Sequence, residues 1–155
     1  MLRIVTPRTQ VFLGYVAQQR AELGEVAISV GATRDHWATV GLTLLEGAYH
    51  SSTGGRGLIV ATGAIENTHQ TWKGEGRTTL GATWGDAPTL IETVPAEIEL
   101  PIPASRVTAY ALDEKGKRGQ PIVVREKEGK AVLVLGGTKK PTLWYEFVIA
   151  AEAKK

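Results

Sequence analysis

The chain has 155 residues, of which 43% are hydrophobic and 22% are charged, a composition typical of a single globular domain. Its 18 Lys and Arg residues nearly balance 16 Asp and Glu residues, and the basic residues are scattered, so we expect no nucleic-acid partner. The chain contains no cysteine, which excludes disulfides and thiolate chemistry. No apolar run reaches membrane-spanning length, so we expect no membrane partner.

Short segments of alternating apolar and polar residues recur along the chain, as in half-buried β-strands. Eighteen glycines and seven prolines supply turns between them. About ten strands are predicted from eleven candidate segments, in chain order 2–5, 11–15, 26–30, 37–44, 58–65, 90–93, 97–100, 107–112, 121–124, 131–135 and 142–149. Only residues 16–23 have a helical composition, and there we expect one helical turn or a loop. Residues 106–135 predict an antiparallel meander.

This pattern predicts an all-β fold: one antiparallel, two-sheet β-sandwich, of jelly-roll or immunoglobulin-like type, that spans residues 1–155. In the last strand Trp144 and Tyr145 point to opposite faces, and Tyr145 is predicted to lie in the core. The N-terminus lacks the features of a signal peptide, and we expect the chain to be a piece of a larger protein with Met1 as an added start.

Several kinds of catalytic chemistry lack their sequence motifs. The chain contains no G-x-S-x-G elbow, no phosphate-binding glycine loop and no D-x-D-x-D calcium loop, and its three histidines lack the spacing of a zinc site. We therefore predict no catalytic residue, no metal-binding residue and no cofactor. A structural calcium ion held by backbone carbonyls remains compatible with the sequence.

Aromatic residues in two irregular, glycine-rich segments are the positive functional signal. One segment, 46–57, contains Tyr49 and His50, and the other, 67–88, contains Trp72 and Trp84. Sugar rings stack their C–H faces on such side chains and bond to polar groups at the ring edge. If the two segments converge, they form a predicted sugar site of Tyr49, His50, Asn67, Gln70, Trp72, Arg77, Trp84 and Asp86. The alternative for Trp84 is burial beneath its own loop.

Five segments together resemble a known kind of domain: 6–14, 57–68, 84–88 (Trp-Gly-Asp-Ala-Pro), 106–113 and 142–146. They are similar to the C-terminal β-sandwich domains of multidomain bacterial glycoside hydrolases, which look like carbohydrate-binding modules. The resemblance implies an exported, extracellular parent enzyme with a catalytic domain upstream.

The expected function is therefore that of a non-catalytic, monomeric module that binds polysaccharide and serves the catalytic domain of its parent. The alternative is a structural domain that packs on that catalytic domain, or on another copy, without binding sugar. In that case Trp37 and Trp144 are the predicted contact residues. An exposed, contiguous apolar patch would favour the alternative.

Overall fold

The computed structural model describes residues 1–137 and 141–152. Within them the chain forms sixteen β-strands and two short 3-10 turns, at Glu75–Arg77 and Ala104–Arg106. The strands are β1 Leu2–Val5, β2 Thr9–Tyr15, β3 Arg20–Leu23, β4 Val26–Val30, β5 Trp37–Gly47, β6 Gly55–Thr62, β7 Ile65–Thr68, β8 Trp72–Lys73, β9 Thr79–Leu80, β10 Asp86–Ile91, β11 Ala96–Leu100, β12 Val107–Leu112, β13 Arg118–Pro121, β14 Val124–Lys127, β15 Lys130–Leu135 and β16 Trp144–Ile149.

Two antiparallel sheets form the body of the molecule. The larger has seven strands in the order β1-β2-β5-β6-β16-β12-β13, and the smaller has five in the order β14-β15-β11-β4-β3. Two ribbons, β7–β10 and β8–β9, lie outside these sheets. The predicted all-β antiparallel sandwich is confirmed. Its strands are more numerous than the expected ten, because strands of two to four residues are too short to show alternation in the sequence.

The core lies between the two sheets and follows from the two-residue period of the strands. Every second residue of β5 is buried, from Ala38 to Leu44, as the sequence pattern predicts. Tyr145 and Phe147 of β16 are also buried, and they share one apolar core with residues of the smaller sheet such as Ile98. Each fully buried Leu, Ile or Phe contributes roughly 1.5–3 kcal/mol, so this shared interior holds the sheets together.

One glycine in the middle of a strand has a packing reason. Gly57 of β6 lies beside Phe147 of the neighbouring β16, and a Cβ atom at this position would overlap the Phe147 ring. A Cβ would also come within 2.7 Å of the carbonyl oxygen of Thr43. The missing side chain therefore gives the aromatic ring its place in the core.

Two local predictions were wrong. Where one helical turn or a loop was expected, residues 16–19 form a turn but residues 20–23 form the strand β3, because pairing with β4 buries Ala21 and Leu23 in the core. Residues 106–135 do not form one meander. The hairpin β12–β13 belongs to the larger sheet and the hairpin β14–β15 to the smaller one, so the chain crosses between sheets near Ile122. Ile122 is buried at this crossing, a tertiary contact that the strand pattern does not reveal.

Each main sheet also holds one buried carboxylate on its outward side. Glu146 of β16 accepts bonds from Arg118 at 2.5 Å and from Arg56 at 3.4 Å. Glu99 of β11 accepts bonds from Arg20 at 2.6 Å and from Lys127 at 3.4 Å. The Arg118 bond to Glu146 and the Arg20 bond to Glu99 are the main reasons why the pKa of each carboxyl lies below its usual value. Both side chains are therefore ionised at neutral pH.

The lowered pKa of Glu146 predicts an acid-dependent loss of stability. Its stabilisation is complete above the unfolded-state pKa of a glutamate, about 4.3, and is lost as the pH falls through the lower folded-state pKa. We expect Glu146→Gln to unfold at lower urea concentration than the wild type at pH 7. The difference between the two proteins should shrink below about pH 4.

Urea unfolding followed by circular dichroism at pH 7, 5, 4 and 3 measures this difference. Glu114→Gln is the matched control, because Glu114 is exposed. A gap between the Glu146→Gln variant and the wild type that stays constant down to pH 3 would show that the ion pairs contribute nothing to stability.

Candidate functional site

The two irregular segments that the sequence analysis singled out lie at opposite ends of the sandwich. The loop with Tyr49 and His50 joins β5 to β6, next to Gly55 at the start of β6. The segment with Trp72 and Trp84 follows Thr62 at the end of β6. The eight residues of β6 separate the two segments by roughly 25 Å at about 3.3 Å per residue. The expected convergence into one sugar site is therefore wrong.

Tyr49 and His50 have structural partners at their end of the sandwich. Tyr49 is 5% exposed, and its hydroxyl donates a 3.0 Å bond to Oε1 of the buried Gln10. Burial raises the pKa of this tyrosine well above its usual value. The exposed His50 lies 2.8 Å from Glu25 through Nε2. A tyrosine packed in this way offers no ring face to a sugar.

The other six predicted residues lie in a projecting segment, Ile65–Ile91, which we call the arm. It consists of the ribbons β7–β10 and β8–β9, and none of its residues is buried. Several of its apolar side chains are exposed, namely Ile65, Leu80, Trp84, Leu90 and Ile91. Since an isolated two-stranded ribbon is marginally stable in water, the arm depends on its polar contacts.

Glu66 is the centre of those contacts. It accepts bonds from Arg34 of the body at 2.8 Å and from the indole Nε1 of Trp72 at 3.1 Å, and it contacts Arg77 directly. These bonds, chiefly that from Arg34, hold the pKa of Glu66 below its usual value. The guanidinium of Arg77 also lies 5.0 Å from the centre of the Trp72 ring. Trp72 and Arg77 are therefore used within the arm, and one face of the indole is covered.

Asn67 and Gln70 also bind within the arm. The Asn67 amide donates a 3.1 Å bond to the carbonyl of Trp84, and its Oδ1 accepts a 2.9 Å bond from Thr89. Gln70 accepts a 3.2 Å bond from the backbone N–H of Asn67. Asn67 thus fixes the loop that carries Trp84, and both amide groups of Asn67 and the amide oxygen of Gln70 are already bonded within the chain.

Within the arm, Trp84 and Asp86 are the predicted site residues that face solvent. The Trp84 side chain is 72% exposed, which excludes its burial beneath the loop. Asp86 is also exposed and lies 3.4 Å from Nδ1 of His69. The open Trp84 indole and the exposed Asp86, two residues later in the chain, are therefore the groups of the arm that remain accessible to a ligand.

The seven-stranded sheet carries a larger apolar surface, which the sequence did not predict. The outward side of the seven-stranded sheet carries a continuous set of apolar residues that we call the apolar face: Leu2, Ile4, Val11, Leu13, Tyr15, Trp37, Leu58, Val60 and Trp144. The strand register joins them, since Ile4 pairs with Val11, Val11 with Gly41, Gly41 with Val60, and Val60 with Trp144.

The side chains of the apolar face are accessible to a partner. Trp37 is 37% exposed, Val60 is 38% exposed and Trp144 is 43% exposed. Both tryptophans that the alternative function named as contact residues therefore lie on this surface. Its sequence signal was the segment 58–61, in which both alternating sets of side chains are apolar. One set belongs to the core, and the other belongs to the apolar face.

The outward side of the five-stranded sheet provides an internal comparison. Ion pairs cross this surface, Arg20 with Glu22 and Glu99, Arg125 with Glu97, and Lys127 with Glu99, while its apolar Ala27 and Val132 are buried. On the larger sheet, the corresponding ion pairs around Glu146 bound the apolar face on one side. Among the described residues, the outer surface of the smaller sheet is therefore suited to contact with water, whereas that of the larger sheet is suited to it only around Glu146.

A cavity of about 570 Å³ lies beside Trp144, where the β12–β13 hairpin meets the start of β16. Its polar lining includes Asp113, Glu114, Gln120 and Thr142. A cavity of this size lies within the range of small-molecule sites. It lies at the same end of the sandwich as the arm, because β12 and β6 both end there.

Two searches of the described part of the chain were negative. No group of three or more His, Asp or Glu side chains there is arranged to hold a metal ion. None of its helical segments is long and apolar enough to cross a membrane.

Comparison with known proteins matched no family, no curated protein and no solved structure. The functional inference therefore depends on the surfaces described above.

The contacts of Glu66 predict that the arm can open without unfolding of the body. In Glu66→Gln the loss of the negative charge weakens the bonds from Arg34, Trp72 and Arg77. We expect the amides of the arm to exchange hydrogen roughly tenfold faster, while the midpoint of global unfolding stays unchanged because no arm residue is buried.

Hydrogen exchange followed by mass spectrometry tests this expectation, with Glu75→Gln as the control in an exposed turn of the arm. Equal exchange rates in the Glu66→Gln variant and the wild type would show that other contacts hold the arm.

Proposed function

We propose that this chain is a non-catalytic interaction module that docks through its apolar face onto another domain of the same polypeptide. The observation that supports this most directly is the contrast between the two outer surfaces of the sandwich. One carries paired charges, and the other carries nine apolar side chains that are neighbours in the sheet, seven of them exposed and two, Val11 and Leu13, half-buried. Contiguous apolar surfaces of this kind are typical of protein contacts in soluble proteins.

The chemistry of the apolar face favours a protein over a sugar. Six of its nine side chains are aliphatic, and its centre, at Thr39, Gly41 and Thr43, offers two hydroxyls and a glycine. Sugar sites require more hydrogen-bonding groups around their aromatic residues. Trp37 and Trp144 are large, rigid contact residues of the type that contributes most at protein interfaces.

The size of the apolar face favours a tethered partner over an independent one. Five strands at about 4.8 Å spacing and about six residues in length cover roughly 500 Å². Stable complexes between separate proteins bury about 800 Å² on each side, whereas domains of one chain form smaller contacts. A linker supplies the missing affinity by raising the local concentration of the partner to the millimolar range.

The resemblance to the C-terminal domains of bacterial glycoside hydrolases suggests the partner. In that case the docked domain is the catalytic domain of an exported enzyme, and this module supports it outside the cell. No catalytic role for the module itself is part of the proposal.

A charge placed in the middle of the apolar face tests the proposal. We expect Val60→Lys to weaken binding to the remaining part of the natural polypeptide at least tenfold, because the ammonium group would be desolvated in the contact. Isothermal titration of the chain into that part, produced separately, measures the affinity. The wild-type fold should be retained, since Val60 is exposed.

Thr108→Lys is the matched control, because it adds the same charge to the same sheet surface beyond the ion pairs of Glu146. Equal affinity of the Val60→Lys variant and the wild type would contradict docking through this face. A gene that encodes no further domain would contradict it as well.

A second candidate function, polysaccharide binding, is favoured by the exposure of Trp84. Its indole is open to solvent near Asp86 and His69, and its loop is fixed by the Asn67 amide. A pyranose ring could stack there with little reorganisation of the protein. The cavity beside Trp144 is the other place at this end where an aromatic side chain adjoins polar side chains, Glu114 and Gln120 among them.

Affinity gel electrophoresis against a panel of soluble polysaccharides tests this second function. We expect one class of glycan to retard the wild type, and Trp84→Ala to abolish the retardation if the arm binds it. Loss in Trp144→Ala instead would assign the binding to the cavity. Leu80→Ala, which shortens an exposed aliphatic residue of the arm, is the control. Failure of every glycan to retard the wild type would exclude the function.

A further inference from the structure

The strand β1 forms an edge of the seven-stranded sheet that differs from the other sheet edges. All four of its residues are exposed, and three of them, Leu2, Ile4 and Val5, are apolar. The only pairing partner of β1 among the described residues is β2. Edge strands with unpaired backbone groups and apolar side chains readily accept another strand.

The other three edges carry features that discourage such pairing. β13 begins with Arg118 and ends with Pro121, which has no N–H group to donate. β14 contains Arg125, Glu126 and Lys127 among its four residues. β3 carries an Arg and a Glu on its exposed side. The edge at β1 has neither a proline within it nor a run of charges.

The apolar face also extends to this edge without a polar border. Its rows pass from β5 through Val11 and Leu13 of β2 to Ile4 and Leu2 of β1. On the opposite side, the same surface ends at the ion pairs of Glu146. A surface that continues to the last strand is what a further strand beyond β1 would require.

The backbone geometry shows which groups of β1 are free. Thr6 donates a 2.8 Å bond from its N–H to the carbonyl of Thr9, which lies in β2. Because bonded and non-bonded pairs alternate in an antiparallel ladder, Ile4 and Leu2 also bond toward β2. The N–H and C=O groups of Arg3 and Val5 therefore point away from β2, toward the open edge.

We propose that two copies of this chain associate through their β1 strands, which pair antiparallel about a two-fold axis at Ile4. In this register Arg3 of one copy faces Val5 of the other, and their free backbone groups form about four hydrogen bonds. Ile4 faces Ile4 of the second copy as a non-bonded pair, with Cα atoms about 4.5 Å apart.

The side chains favour this register over its neighbours. A shift of one residue would place the apolar face of one copy on the core side of the other. A two-fold axis at Arg3 would bring two guanidinium groups opposite each other, which is unfavourable. The axis at Ile4 keeps the apolar faces of both copies on the same side and joins them into one surface.

The pairing at Ile4 can be tested by charge complementation. We expect Ile4→Lys and Ile4→Asp each to be monomeric, because like charges meet at the two-fold axis, and a 1:1 mixture of the two variants to form dimers. The contact is small, so the wild-type dimer should dissociate in the range of about 10 µM to 1 mM. Sedimentation velocity from about 10 µM to 1 mM measures the association, and circular dichroism checks that each variant is folded.

Two controls separate this contact from others. All proteins carry Val60→Lys as well, which removes association through the apolar face and leaves the β1 edge intact. A mixture of Leu2→Lys and Leu2→Asp should associate no more tightly than either variant alone, because Leu2 lies opposite Thr6 of the second copy in this register. Rescue of that pair would assign a different register and overturn the axis at Ile4.

The proposal is also overturned if the Val60→Lys protein is monomeric throughout this range, or if the Ile4→Lys and Ile4→Asp mixture stays monomeric. Neither result bears on docking through the apolar face, whose test is the affinity for the remaining part of the polypeptide.

Discussion

The structure depends on a single constraint: each strand has two sides, and one shared core between two sheets can cover only one of them. The core residues of both sheets form one apolar cluster, from Phe12 and Val40 on the larger sheet to Ile28 and Leu133 on the smaller. The other side of each sheet has to meet water or a partner. The outer sides of the two sheets differ in chemical character, and the functional inference is based on that difference.

The outer side of the smaller sheet is covered by charged side chains that water can solvate. The outer side of the larger sheet is covered by such side chains only in part. Around Glu99 and around Glu146, basic side chains surround a carboxylate and make a sheet surface compatible with water. Beyond the Glu146 cluster the sheet surface carries no further ion pairs among the described residues, and Val60, Trp144 and their neighbours are exposed. Because the same chain shows that it can build a charged sheet surface, the apolar one is better explained by a contact than by drift.

The arm presents the opposite arrangement, with polar groups inside and apolar groups outside. Glu66 and Asn67 are engaged by neighbouring side chains and backbone, while Ile65, Leu90 and Trp84 face solvent. An ordered segment without a core of its own costs conformational entropy that its hydrogen bonds only partly offset. Much of the polar chemistry expected to bind a ligand is used to hold this segment in shape.

The sequence alone determined the fold class, the core side of the long strands and the position of Tyr145 in the core, because a two-residue period in the side chains directly reflects strand geometry. It also named Trp37 and Trp144 as a pair of contact candidates, but it left open whether Trp84 is exposed or buried beneath its own loop. Only the tertiary structure decided that β3 is a strand, that Tyr49 is buried far from Trp84, and that Trp72 is held by Glu66. Each of these depends on contacts between residues distant in the chain, and local patterns carry no information about which distant residues meet.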